Sequence, residues 1–100
     1  MEKVKALSHL RGFQWDSANS DKNWIRHKVS RTECEEVFTN SPLLISEDSK
    51  HSHSEPRNKA LGKTNAERKL FIAFTERQEL LRVISARDMS KREREIYEKA

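Results

Sequence analysis

Residues 70–75 read LFIAFT, in which Leu70, Ile72 and Phe74 alternate with Phe71, Ala73 and Thr75. A polar turn over residues 76–79 leads into a second run, LLRVISAR, at 80–87. Alternate residues of a strand share a face, so two such neighbouring runs predict a central antiparallel hairpin. The hairpin constrains the rest of a 100-residue chain, because a sheet must bury an apolar face under other elements and this length supports one modest core.

The covering elements are marked by their caps. GFQWD, at 12–16, puts Phe13 and Trp15 on one side of an extended segment and offers Asp16 as the cap of a helix from Ser17 to His27. Ala18, Trp24 and Ile25 form that helix's apolar stripe. Ser30 and Glu33 make a capping box, in which each side chain satisfies the other residue's free backbone donor at a helix start. Cys34, Val37 and Phe38 are then the buried side of a second helix. Asn40, Ser41 and Pro42 end it, and Leu43, Leu44 and Ile45 suit a buried strand. Residues 47–56, EDSKHSHSEP, read as an exposed loop, 57–63 as a strand and 64–67 as a turn. A second capping box, Ser90 with Glu93, starts a last helix with Ile96 and Tyr97 facing inward. This order predicts an α+β domain over residues 1–100: a small antiparallel sheet packed by helices on one face and partly free on the other, closed by a C-terminal helix, with residues 1–11 a flexible tail.

Twenty Lys and Arg against 16 Asp and Glu give a formal charge of +4, a bias toward polyanionic partners. Cys34 is the single cysteine, so no internal disulfide and no cysteine zinc cluster is available. His51 and His53 with Cys34 make a poor ligand set, because the histidines lack the paired spacing of structural zinc sites. No run of roughly 18 apolar residues occurs, nor the shorter apolar run of a signal peptide. The protein is expected to be soluble and cytoplasmic. Two glycines leave no glycine-rich phosphate loop.

GFQWD, then Asn23, Arg26-His27-Lys28-Val29, EEVF, Arg57 with Leu61-Gly62, and FTERQELLRVISARDMSKREREIYEKA together resemble the BrnT toxins of bacterial toxin–antitoxin systems, from Phe13 onward. The resemblance implies a fold similar to RelE-type toxins, a metal-independent ribonuclease without cofactor, and neutralisation by a BrnA-type antitoxin through which alone operator DNA is bound. Two departures stand out. Asn58 and Lys59 occupy a place where the family commonly has an aromatic after the arginine, and the polar segment before Phe13 is longer.

Cutting RNA without a metal requires a 2′-oxygen to attack the adjacent phosphate, so one proton is accepted, another donated, and extra negative charge stabilised. Arginine suits the last duty, since its planar fork binds phosphate bidentately. Arg57, Arg77 and Arg87 are the catalytic candidates with His27, the one histidine inside the matching motifs; Lys28, Lys63 and Arg82 are candidates for substrate binding. Strict alternation puts Arg87 with Leu81, Val83 and Ser85, and Arg82 on the opposite face, unless the strand twists or bulges. The arginines also have carboxylates within reach in sequence, Glu76, Glu79 and Glu93, and His27 suits the negative end of its helix without any catalytic duty. Trp15 and Trp24 fall on inward stripes and read as core rather than base-stacking platforms, and Tyr97 as packing rather than a proton donor. A competing reading is a decayed toxin, or a basic module that binds nucleic acid or antitoxin without cutting.

Overall fold

The computed structural model describes residues 2–3, 7, 9–51 and 55–100. The elements run β1 (Glu2–Lys3), β2 (Gly12–Phe13), α1 (Ser17–His27), α2 (Arg31–Val37), β3 (Leu44–Glu47), a 3-10 turn at Ser49–His51, β4 (Asn58–Lys63), β5 (Lys69–Arg77), β6 (Leu80–Asp88) and α3 (Lys91–Glu98). Among the described residues the strands make one sheet in the order β1-β3-β4-β5-β6-β2. The α+β class and the C-terminal helix stand as expected. The sheet is mixed rather than purely antiparallel, however, since Gly12 and Phe13 pair parallel to Leu80 and Leu81.

All three capping boxes form: Asp16 with Asn19, Ser30 with Glu33, and Ser90 with Glu93. The hairpin turn is tighter than the polar run implied. Gln78 and Glu79 both have positive φ, the mirror-image turn that matches strand twist, so Arg77 is still in register, opposite Leu80.

One face of the sheet carries Ala60, Leu70, Ile72, Phe74, Leu81, Val83 and Ala86, packed on Val29, Cys34 and Val37. Gly62 belongs to this side, and a Cβ there would lie 2.6 Å from Val37 Cγ1, so α2 rests directly on the strand backbone. The second face is not left open along its length. At one end α3 covers it with Tyr97, which packs with Leu44, Leu61, Met89 and Phe71. The Tyr97 hydroxyl donates to the Pro42 carbonyl at 2.6 Å, fixing the helix to the start of β3. Ile96, expected inside, is 45% exposed.

The main departure lies in β6. Its register with β5 slips between Ala73 and Phe74: Val83 faces Phe74, but Ser85 faces Ala73, which leaves Ile84 as a bulge. Beyond it every side chain changes face. Leu81, Val83 and Ala86 all point into the core, and Arg82, Ser85 and Arg87 all point to the other side, so the expected separation of Arg82 from Arg87 does not hold.

Helix α1 secures this bulge with polar groups. The expected stripe is turned outward, with Trp24 51% and Ile25 70% exposed and Ala18 also exposed. The buried residues are Asn19 and Asn23. Asn19 Nδ2 donates to the Val83 carbonyl at 3.0 Å, and Asn23 Oδ1 accepts the Ala86 N–H at 3.0 Å, so the two amides serve the β6 backbone on both sides of Ile84. β2 reaches only Leu80 and Leu81, and without α1 these buried groups would lack partners. Asn23→Ala should therefore lower unfolding stability by about 2 kcal/mol, the scale of one buried donor left unpaired, measured as a lower urea midpoint. A midpoint within error of the parent would refute this role.

Candidate functional site

Cross-strand partners share a face, so the register places Lys59 from β4, Ala73, Thr75 and Arg77 from β5, and Arg82, Ser85 and Arg87 from β6 on the second face, Arg87 at the margin of the part α3 covers and the rest beyond it. The floor is small-chained: Ala73 is 6% and Thr75 1% exposed beneath longer charged neighbours. Arg57 directly precedes β4, in phase with Lys59. Arg57, Arg77, Arg82 and Arg87 are thus assembled on one face, an arrangement that strict alternation forbade and the bulge permits.

Each of three forks holds a carboxylate from a different element. Arg77 grips Glu55 with Nη2 2.6 Å from Oε1 and Nε 3.1 Å from Oε2. Arg82 holds Asp16, the cap of α1, at 2.9 and 3.3 Å. Arg87 holds Glu93, of the α3 capping box, at 2.8 and 3.0 Å, and its guanidinium lies 4.2 Å from the centre of the Phe71 ring. These are the planar, bidentate contacts a phosphodiester would also make.

The charges follow. The Arg82 hydrogen bonds draw the Asp16 carboxyl below its usual range. Glu55 is lowered first by the hydrogen bonds from Arg77, with the charges of Arg82 and Arg57 adding to the effect. Arg77 is raised in return. For Glu93 burial pushes upward, but Arg87 and the Ser90 N–H and hydroxyl outweigh it and leave the group lowered.

The remaining candidates lie elsewhere. His27 is exposed at the C-terminal end of α1, beside Asp88 and Arg68, whose Nη2 donates to the His27 carbonyl at 3.1 Å. Arg77 is at the other end of the hairpin, roughly 25 Å away along β6 at ~3.3 Å per residue. The structure therefore does not bring His27 to Arg57, Arg77 and Arg82. Lys28 sits over the Trp24 ring at 5.4 Å, and Lys63 pairs with Glu67 at 3.4 Å. Trp15 is half-buried, stacked on Phe13 and donating to Glu35 at 2.8 Å, whereas Trp24 is a surface residue rather than core. Burial pushes the Cys34 thiol up to about 12, an inert core group. His53 is outside the described residues; among those described, no group of three or more His, Cys, Asp or Glu is placed to hold a metal. A cleft of about 580 Å³ lined by Phe38, Pro42 and Leu43 is elsewhere on the surface and has no ionisable side chain.

Sequence reasoning missed Glu55, Thr75, Asp16 as an arginine partner, and Arg68. Glu55 was concealed in a polar loop, where composition distinguishes no residue. Arg68 joins Glu33 at 3.0 Å, Asp88 at 2.7 Å and the carbonyls of His27 and Lys28, a convergence of four segments with no local signature.

The fold is thus a small α+β domain that aligns arginine forks on one sheet face. The chain belongs to the BrnT family: the family model described as ribonuclease toxin, BrnT, of type II toxin–antitoxin system matches residues 15–93. No curated protein matches the chain. It is a ribonuclease toxin by family, and an antitoxin partner comes with that membership. No helix among the described residues is long and apolar enough to cross a membrane.

Because Arg87 both ties down α3 and stacks on Phe71, Arg87→Ala should lower stability by about 1 kcal/mol at neutral pH. Glu93 is lowered in the folded state, so its contribution is complete above the ordinary glutamate range and is lost as pH falls through the lowered folded value. The gap between parent and variant should narrow from pH 7 to pH 3 in urea unfolding. A gap independent of pH would show that packing on Phe71 alone is responsible.

Proposed function

We propose that this toxin is a metal-independent endoribonuclease of the cytoplasm, which cuts RNA by directing a 2′-oxygen onto its own phosphate and is neutralised by a BrnA-type antitoxin. The observation that supports it is the alignment of Arg77, Arg82 and Arg87 on one face by the β6 bulge, with Arg57 beside them. Their forks stay charged at any physiological pH; Arg77 and Arg82 can hold the phosphate as it gains charge in the transition state, while Arg87, opposite Phe71 and roughly 20 Å from Arg77 along β5 at ~3.3 Å per residue, would take a neighbouring one. Lys59, in the place of the family's usual aromatic, adds a cation on the same face. Lys28 and Lys63 lie outside this group and would meet only flanking RNA. His27 is also outside it and has no part in the bond-breaking step.

The purified toxin should cleave RNA in EDTA, leave DNA intact, and give products with cyclic or 3′ phosphate ends. A need for divalent metal, or 5′ phosphates on downstream fragments, would reject the 2′-oxygen route.

The antitoxin covers the arginine face with an acidic or mixed segment that replaces the carboxylates of Glu55, Asp16 and Glu93, and operator DNA is reached only through the antitoxin. Complex formation should abolish cleavage and binding of RNA together. A complex that still binds RNA as tightly as the free toxin would place the neutralising surface elsewhere. The competing reading, a module that binds without cutting, draws on the fact that all three forks are already filled by carboxylates. Expression without antitoxin, followed by RNA integrity, separates the two.

A further inference from the structure

Three carboxylates face the arginines, and their own contacts distinguish them. Asp16 Oδ1 accepts the Asn19 N–H as the cap of α1, and Glu93 Oε1 accepts the Ser90 N–H in the capping box of α3. Both are committed to helix starts. Glu55 has no such duty among the described residues; its oxygens contact the Arg77 guanidinium, and its side chain is 37% exposed. Its backbone is nevertheless held. Thr75, 1% exposed on the floor of the face, donates its hydroxyl to the Pro56 carbonyl at 2.6 Å, and the Asp48 N–H binds the Arg57 carbonyl at 2.8 Å. Thr75 pairs with Arg82 across the hairpin, so the same floor residue that anchors the Glu55 segment stands opposite a phosphate-binding fork.

We propose that Glu55 is the general base of RNA cleavage, with Thr75 and Arg77 as its positioning residues. The assignment rests on the ribonuclease mechanism proposed above. When a phosphodiester enters, its oxygens take the Arg77 fork, and the carboxylate that occupied the fork is left beside that phosphate. One Glu55 oxygen then accepts the proton of the neighbouring 2′-hydroxyl. The 2′-oxygen bonds to phosphorus, the bond from phosphorus to the 5′-oxygen breaks, and the departing 5′-oxygen takes a proton from water. The products are a 2′,3′-cyclic phosphate and a 5′-hydroxyl, and Glu55 returns its proton to solvent. Before substrate arrives, the three arginines keep Glu55 ionised and therefore ready to act as a base. Losing Arg77 to the phosphate restores some of its basicity, which a proton acceptor needs.

The test compares wild type, Glu55→Gln and Glu55→Asp in cleavage of an RNA oligonucleotide across pH, in binding of the same oligonucleotide fully 2′-O-methylated, and in thermal unfolding. Glu55→Gln should lose about 100-fold in kcat, within the range of general-base catalysis. It should bind the methylated RNA at least as tightly, because Arg77 is freed, and should lose the acid limb of the pH profile. Glu55→Asp should retain the limb with a reduced rate. A kcat loss below tenfold in Glu55→Gln, or a loss matched by weaker RNA binding or by unfolding, overturns the assignment while wild-type cleavage leaves the mechanism standing. Wild-type toxin that binds the unmethylated RNA without cutting it overturns the mechanism and the assignment together.

Discussion

The β6 bulge at Ile84 is the constraint on which the rest of the site depends. An extra residue in one strand of an antiparallel pair reverses the facing of everything beyond it. Here the reversal keeps Ala86 in the core with Leu81 and Val83 and brings Arg87 to the side of Arg82. A bulge disrupts the ladder and needs partners for the groups it frees. Asn19 and Asn23 provide them to Val83 and Ala86 from α1, at the unpaired edge of the strand. The helix buries amides and turns Trp24 and Ile25 to solvent because backbone satisfaction along β6 outweighs the hydrophobic gain from covering one half-buried ring.

The charged groups form two clusters with different tasks. At the His27 end, Arg68 binds Glu33, Asp88 and two carbonyls at the close of α1, which fastens α1, α2 and β6 to one another. Its fork is filled by groups that are all needed for the fold. Along the second face, from the hairpin turn to the α3 end, Arg77, Arg82 and Arg87 each hold one carboxylate, with side-chain exposures of 47%, 14% and 38%. Exposed pairs such as those of Arg77 and Arg87 contribute little stability and exchange readily with another oxyanion. The difference between the clusters is the number of partners per fork, since Arg68 meets two carboxylates and two backbone carbonyls while each of the others meets one carboxylate. It separates arginines that build the protein from arginines available to a ligand.

For a ribonuclease toxin this availability is the useful property. The carboxylates already order the forks, so on the proposed reading the side-chain ordering that phosphate binding would require is largely complete. In the function proposed above, the same forks would take an acidic antitoxin segment, which would link inhibition and substrate binding to one surface. Lys59 extends the face toward β4, and α3 closes it through Glu93 and Tyr97.

Elements whose signals are local were legible in the sequence: the caps at Asp16, Ser30 and Ser90, the alternation at 70–75, the turn before β6, and Cys34 and Val37 on the buried side of α2. Each depends on neighbours within a few residues, where spacing alone fixes which groups meet. The motifs also carried the family. The sequence did not carry the slip at Ile84, because a bulge arises from the pairing of two strands and leaves no mark in the alternation of either. Nor did it indicate that Asn19 and Asn23, rather than Trp24, would be buried, since that depends on which backbone groups β2 leaves unpaired. The grouping of Glu55 with Arg57, Arg77 and Arg82 likewise required Thr75 to hold the Pro56 carbonyl over the sheet. The arginines and carboxylates themselves were thus determined by sequence; which of them share a face was decided by strand register, a property of the folded chain alone.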